Sequence, residues 1–274
     1  MSFAKFTAQV TGPNPDIIGL PVFASRVFRL SSFYVNADAG IQGAADLKGK
    51  RVGIPEWAQT AAVYSRGWLQ HDAGVPLTSI EWVQAGIDTA GRTEKVDLHL
   101  PDGLRLVGEP EKTLSDMLAS GEIDAAMTAN APSAFQNGHP KVARLFPDYR
   151  DLEADYFRRT GIYPIMHVIA MRRDILDQYP WIARNLYLAF EESKNRSLER
   201  IRYEGCSNYP IPWLPHYVET LTAMIGDDLF PFGIEANRKT LEAFLSYAYE
   251  QGVTGRKALP EEIFPIGIEP SVAV

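Results

Sequence analysis

The run GIYPIMHVIAMRRD, residues 161–174, decides the reading of this chain. From Ile162 to Met171 it is apolar and rich in β-formers, with one histidine, His167, in its middle. It closes on Arg172, Arg173 and Asp174 and passes into an amphipathic segment from Ile175 to Phe190. A short apolar run followed by helical periodicity reads as a buried strand feeding a helix. A titratable imidazole on such a strand is the best single candidate for proton chemistry in the sequence. The competing reading is a hydrogen-bonded core histidine.

On either side of this run strands and helices alternate, which predicts an α/β fold with parallel sheets. Upstream, Ile17 to Phe23 and Phe28 to Asn36 read as strands. A turn at 46–50 leads into a strand over 51–55, then a helix from Thr60 to Ala73 that Gly74 stops. Ile80 to Val83 is a short strand, and Thr89 to Gly108 is polar and poorly periodic, the pattern of loops or a hairpin. Thr113 to Ser120 reads as a helix ended by Gly121, with a strand behind it over 122–128. Downstream, Trp181 to Arg202 is a long helix, 205–215 is a loop rich in proline and aromatics, and helices over 218–224 and 237–250 follow. The opening is unusual: Phe3, Phe6, Ala8 and Val10 form an amphipathic fragment with no earlier segment to pack against.

The 274 residues are 46% hydrophobic and 22% charged, the balance of an ordinary soluble globular protein of one large or two modest domains. The formal net charge is −7 and no basic block stands out, which argues against a nucleic-acid partner. No apolar run approaches the roughly 20 residues that span a bilayer, so no membrane segment is expected. The opening MSFAKFTAQVTGPNPD has no basic region followed by an apolar core, and the lone Cys206 has no second cysteine to pair with; both point to the cytoplasm. His71, His99 and His139 show no ligand spacing, so no metal site is expected. There is no Ser-His-Asp elbow, P-loop or dinucleotide fingerprint.

Residues 46–53, DLKGKRVG, a following helix, and then LASGEIDA at 118–125 resemble the type 2 periplasmic-binding-protein superfamily. A closer resemblance rests on IGLPVF (18–23), SRVFR (25–29), YVN (34–36), RLFPDY (144–149), the stretch from Thr160 to His167 and that from Gly233 to Phe244. In this order the six are similar to the 4,5-dihydroxyphthalate decarboxylase family. That resemblance implies a two-lobed type 2 periplasmic-binding-protein-like α/β fold with a cleft between the lobes. Lobe one would be residues 1–36 and 161–274, and lobe two 37–160. The run carrying His167 would bring the chain back to lobe one, placing the imidazole at the cleft. The implied activity is decarboxylation of a hydroxylated aromatic dicarboxylate, of the 4,5-dihydroxyphthalate to protocatechuate type, with no cofactor. The fold leaves a second reading open, a non-catalytic solute-binding protein of an ABC-type transporter. Leu30 stands where the family pattern has a histidine after the Phe-Arg pair, and Asn130 where it has a basic residue after the strand ending at Thr128. Members usually begin with a further strand and helix. A lobe-one sheet with an unpaired position is therefore expected, and with it either a homo-oligomer that fills the gap or poor solubility.

An aromatic dicarboxylate needs cationic or N–H donors to hold it. Arg26 and Arg29, three residues apart at a strand–loop–strand turn, are the candidate forks, set against a plain surface role. Gln59-Thr60-Ala61-Ala62 opens a helix directly after a strand, so free N–H groups and the positive dipole end make an anion site at Thr60. Trp57 in the same turn is a candidate to stack on the ring, set against a core role. A ring hydroxyl para to the leaving carboxylate pushes electrons in while a general acid protonates the ipso carbon, and the dearomatised intermediate expels CO2. His167 is the candidate acid, and Tyr163 the candidate partner of a phenol oxygen. Arg26, Arg29, Thr60, Asn130, Tyr163 and His167 are expected to face one pocket. Gly91 and Arg92 with Glu94 and Lys95 read as a solvated loop, set against a lobe-two loop near the cleft, and nothing in the spacing of Trp213 and His216 demands a role at the cleft.

Overall fold

The computed structural model describes residues 1–203, 205 and 209–265; Cys206 and part of the expected 205–215 loop lie outside the described residues. A short helix, α1 (Phe3–Val10), precedes the first strand, β1 (Ile17–Arg26). β1 pairs antiparallel with β8 (Ile165–Arg172), the strand singled out from the sequence. The register shifts after Leu20 and again after Phe23. Pro21 lies inside β1 with no N–H to give, so the ladder skips there. Pairing resumes with Ser25 opposite His167.

Among the described residues six further strands form a second sheet, in the order β5-β4-β3-β6-β2-β7. They are β2 (Phe33–Asn36), β3 (Arg51–Ile54), β4 (Glu81–Gly86), β5 (Arg105–Thr113), β6 (Ala125–Met127) and β7 (Val142–Arg144). β3 runs parallel to β4 and β6, and β4 parallel to β5. The crossovers are α2 (Thr60–His71), between β3 and β4, and α3 (Leu114–Ser120), between β5 and β6. β2 is antiparallel to both its neighbours, β6 and β7, so the sheet is mixed and not all parallel. β2 arrives straight from β1 through the turn Leu30–Ser32, with no crossover helix to bring it round.

The remaining helices are α4 (Ser133–Gln136), α5 (Tyr149–Thr160), α6 (Arg173–Gln178), α7 (Trp181–Arg202), α8 (Leu214–Ile225), α9 (Arg238–Glu250) and α10 (Pro260–Ile263). Two elements depart from the sequence reading. β5 extends from the region read as loop or hairpin; it is an edge strand whose mostly exposed side chains include Glu109, Glu111 and Lys112, charges that protect an open edge and erase strand alternation. α5 gives little apolar signal because its buried residues are only Glu153 and Tyr156.

The lobe boundary moves as well. β2 sits inside the six-stranded sheet, so the first crossing between lobes runs through residues 27–32, ahead of the position expected after Asn36. The return crossing runs through 161–164, between α5 and β8. The C-terminal helices reach both parts: α6 and α7 pack on β8 and β1, while α9 packs on α2, and Gln251 at its end takes the indole N–H of Trp57 on its carbonyl (2.7 Å) and Arg66 Nε on its side chain (2.9 Å). Phe3 and Phe6 are fully buried, against the expectation that they lack partners. Their partners come late in the chain: Phe3 stacks on Phe244 at 4.4 Å, and Phe6 on Phe264 at 6.0 Å. One of the two grounds for expecting association is thereby absent. Among the described residues no helix is long and apolar enough to cross a membrane.

Gly252 closes α9 onto the second lobe. Its φ is +70°, its carbonyl accepts from His99 N–H at 2.7 Å, and a Cβ there would lie 2.1 Å from the His99 carbonyl oxygen. Gly252→Ala should therefore combine left-handed strain with a backbone clash, at a total cost on the order of 3 kcal/mol. Urea denaturation should show a lower midpoint with an unchanged slope; an unmoved midpoint would show that this junction relaxes freely.

Candidate active site

A cavity of about 300 Å³ opens between the β1–β8 pair and the start of α2. His167 reaches it from β8. Its Nδ1 lies 2.6 Å from Ser25 Oγ, directly across the ladder, and Nε2 has no hydrogen-bond partner among the described residues. The residue is exposed, on a strand whose other neighbours Met166 and Val168 are buried. This departs from the buried strand histidine the apolar run suggested. Desolvation, then the Met1 ammonium, then Arg29 hold the imidazole below the ordinary histidine pKa, so the free site favours the neutral ring.

Arg29 enters from the first crossing. Its Nε and one terminal nitrogen lie 3.2 and 2.7 Å from Met166 Sδ, and the other terminal nitrogen 3.3 Å from the Ala129 carbonyl. A thioether is a weak acceptor, and among the described residues no carboxylate pairs with this guanidinium. Burial lowers its pKa to about 10, which leaves it charged at neutral pH. Glu153, the acid that works against this lowering, is already engaged by the backbone N–H groups of Leu30 and Ser31 (2.8 and 3.1 Å).

Thr60 and Ala61 line the cavity at the N-terminus of α2. The Thr60 hydroxyl does not face a ligand: it accepts from Ala4 N–H at 2.9 Å and meets Ser2 Oγ at 2.8 Å, fastening α1 to α2. What the helix start offers is its backbone, where first-turn N–H groups lack intrahelical acceptors. Beside it, Gln59 Oε1 is buried with no hydrogen-bond partner. Glu56, Arg92 and Lys95 complete this wall, with Arg92 Nε 2.8 Å and Lys95 Nζ 3.6 Å from Glu56 Oε1. Of the two sequence readings of this segment, a solvated loop or a loop near the cleft, the structure matches the second to the extent that Arg92 and Lys95 border the cavity.

Of the six residues expected in one pocket, the structure brings together Arg29, Thr60 and His167. Arg26 is buried elsewhere. It donates to the carbonyls of Tyr163 (2.9 Å) and Pro231 (2.7 Å) and to Asn237 Oδ1, and lies over the rings of Phe23, Tyr163 and Phe230. It ties the two crossings to the C-terminal segment and does not line the cavity. Tyr163 is held in that packing, stacked on Phe28 at 5.0 Å, and does not line the cavity. Trp57 is fully buried against Arg66 (3.7 Å) and Trp82 (5.4 Å), a core residue and not a stacking platform. Asn130 is exposed in a turn where its carbonyl takes the Thr128 hydroxyl at 2.6 Å; its neighbour Ala129 lines the cavity instead. Ser2, Lys5, Ser25, Glu56 and Met166 were not anticipated; a hydroxyl at Ser25, in an apolar strand, was the one signal available. Among the described residues no group of three His, Cys, Asp or Glu side chains is placed to hold a metal ion.

Two sheets joined by two crossings, with a polar cavity at the junction, define a two-lobed type 2 periplasmic-binding-protein-like fold. The periplasmic aliphatic sulphonate binding protein SsuA from Escherichia coli shares it, with a TM-score of 0.51 at 14% identity over 95% of this chain and 76% of that one. No family model matches the sequence. Over 271 residues the chain is 37% identical to a 4,5-dihydroxyphthalate decarboxylase of Comamonas testosteroni, covering 98% of this chain and 82% of the relative. Over 159 residues it is 43% identical to one of Pseudomonas putida, covering 58% of this chain and 62% of the relative. The chain belongs to the 4,5-dihydroxyphthalate decarboxylase family, whose curated members are named for a carboxy-lyase activity.

Proposed function

We propose that the protein decarboxylates 4,5-dihydroxyphthalate, or a close hydroxylated analogue, to the corresponding dihydroxybenzoate without a cofactor. One observation carries this beyond the names of the relatives: a half-buried cation, Arg29, with no carboxylate partner among the described residues, shares a cavity with an imidazole whose Nε2 has no hydrogen-bond partner among them. The volume, about 300 Å³, sits at the lower end of ligand pockets and suits one small ring. Arg29, Lys5 and the α2 N-terminus supply the positive field that two adjacent carboxylates need.

The chemistry asks for little more. The ring stores the electron pair itself while its carbon is protonated, so no external electron sink is required. Ser25 orients His167 through Nδ1 and leaves Nε2 to deliver the proton. The empty site disfavours imidazolium, but a bound dianion reverses the local field and raises the pKa. Substrate binding therefore loads the acid that the reaction consumes. The decisive assay is incubation of chelator-dialysed protein with phthalate and with 4,5-dihydroxyphthalate. CO2 should be released from the dihydroxylated ring alone, undiminished by the chelator. Binding with no CO2 would instead be the behaviour of a transport component.

A further inference from the structure

Protonating the ring carbon is half of the proton chemistry. The hydroxyl para to the leaving carboxylate must shed its own proton as it pushes electrons in, and Tyr163 is packed away from the cavity. Glu56 is the one carboxylate among the described residues that line the cavity. It is 8% exposed, in the turn between β3 and α2. Arg92 and Lys95 both hold Oε1, and Oε2 has no hydrogen-bond partner among the described residues. Gln59, three residues on, also lines the cavity, and its side-chain Oε1 is buried with no hydrogen-bond partner among the described residues. A carboxylate alone would repel a dicarboxylate ligand; Arg92 and Lys95 offset its charge at Oε1, and Oε2 is left to meet a donor. A ring with two adjacent hydroxyls brings two donors, and this wall offers two acceptors.

We infer that Glu56 is the base that takes the proton of the ring hydroxyl para to the leaving carboxylate, with Gln59 accepting from the neighbouring hydroxyl. The inference rests on the decarboxylase reading above and names the group which that reading leaves open. The hydroxyl proton moves to Glu56 Oε2 as the His167 proton forms the new C–H bond. The C–CO2 bond then breaks, and its electron pair restores the aromatic ring. The ring oxygen recovers the proton from Glu56, and His167 is recharged from solvent. The sum is one carboxylate plus one proton giving one C–H bond and CO2. The pair of acceptors makes the site selective for dihydroxylated rings.

The test compares wild type, Glu56→Gln and Arg92→Gln on 4,5-dihydroxyphthalate and on a ring-fluorinated analogue with more acidic hydroxyls. Glu56→Gln should lower kcat by about 100-fold, at the low end of general-base effects, with KM changed by no more than a few-fold. The gap to wild type should narrow several-fold on the fluorinated ring, which sheds its proton more readily. Arg92→Gln breaks the same ion pair but keeps the carboxylate, and should lose far less of kcat. Should Glu56→Gln fold poorly, Glu56→Asp, which retracts the carboxylate by one methylene, should show a smaller loss with the same narrowing. Equal losses in the Glu56 and Arg92 variants, with the same gap on both substrates, would make Glu56 a structural anchor and overturn the inference alone. No CO2 from wild type would overturn the decarboxylase reading and the inference with it.

Discussion

Replacing His167 with asparagine should leave 4,5-dihydroxyphthalate bound and all but stop its turnover. The amide keeps a polar group opposite Ser25 Oγ, which lies 2.6 Å from the native Nδ1, so the cavity wall is preserved while the titrating proton is lost. General acid catalysis typically contributes about 10²–10⁴-fold, and kcat should fall by that much with KM little changed. The pH dependence has a definite sign. Imidazolium is the working form, so activity is lost as pH rises through the His167 pKa. In kcat/KM, which reports the free site, that descent should lie below the ordinary histidine range, because desolvation, the Met1 ammonium and Arg29 lower the pKa there. In kcat, which reports the complex, it should lie higher, because the substrate carboxylates stabilise the charge. The variant should lack the descent in both. Near-normal turnover in His167→Asn would remove the acid from the mechanism.

Arg29→Ala should act on affinity. The guanidinium is charged, half-buried and without a carboxylate partner among the described residues, so its interaction with a substrate carboxylate exists before the transition state. Removing one member of a desolvated charge pair costs about 2–4 kcal/mol, a rise in KM of roughly 30- to 700-fold. A normal KM with a collapsed kcat would show that Arg29 acts on the transition state instead, and unchanged values for both would make it a bystander. Arg26→Ala, three residues away, should behave differently. It empties a site of three backbone or side-chain acceptors and three aromatic rings, so thermal stability should fall before any kinetic constant does.

The contrast between these arginines shows what could be read from the sequence. Both have the chemistry to bind a carboxylate, and their spacing places them on one turn. Which one faces the cavity depends on acceptors at Tyr163, Pro231 and Asn237, up to 211 residues away. β8, α2 and α7 were legible because each is long, or bounded by clear stops, and the start of α2 was legible as a part of the cavity wall. The place of β2 between β6 and β7 was not legible, because strand pairing leaves no mark in local periodicity. Trp57 illustrates the same limit: its indole is committed to Gln251, which only the docking of α9 brings near. Glu56 escaped notice because a single acid in a turn is ordinary until Arg92 and Lys95 are seen against it.

The central claim is that an imidazole in this cavity protonates the ring of a bound dihydroxyphthalate as CO2 leaves. It is tested most directly by a single-turnover reaction in D2O with carboxyl-¹³C-labelled 4,5-dihydroxyphthalate, followed by NMR. The expected result is appearance of ¹³CO2 together with a dihydroxybenzoate carrying one deuterium at the vacated ring carbon, and loss of both in His167→Asn. A substrate that binds and keeps its labelled carboxylate, or a product formed at an equal rate without His167, would contradict it.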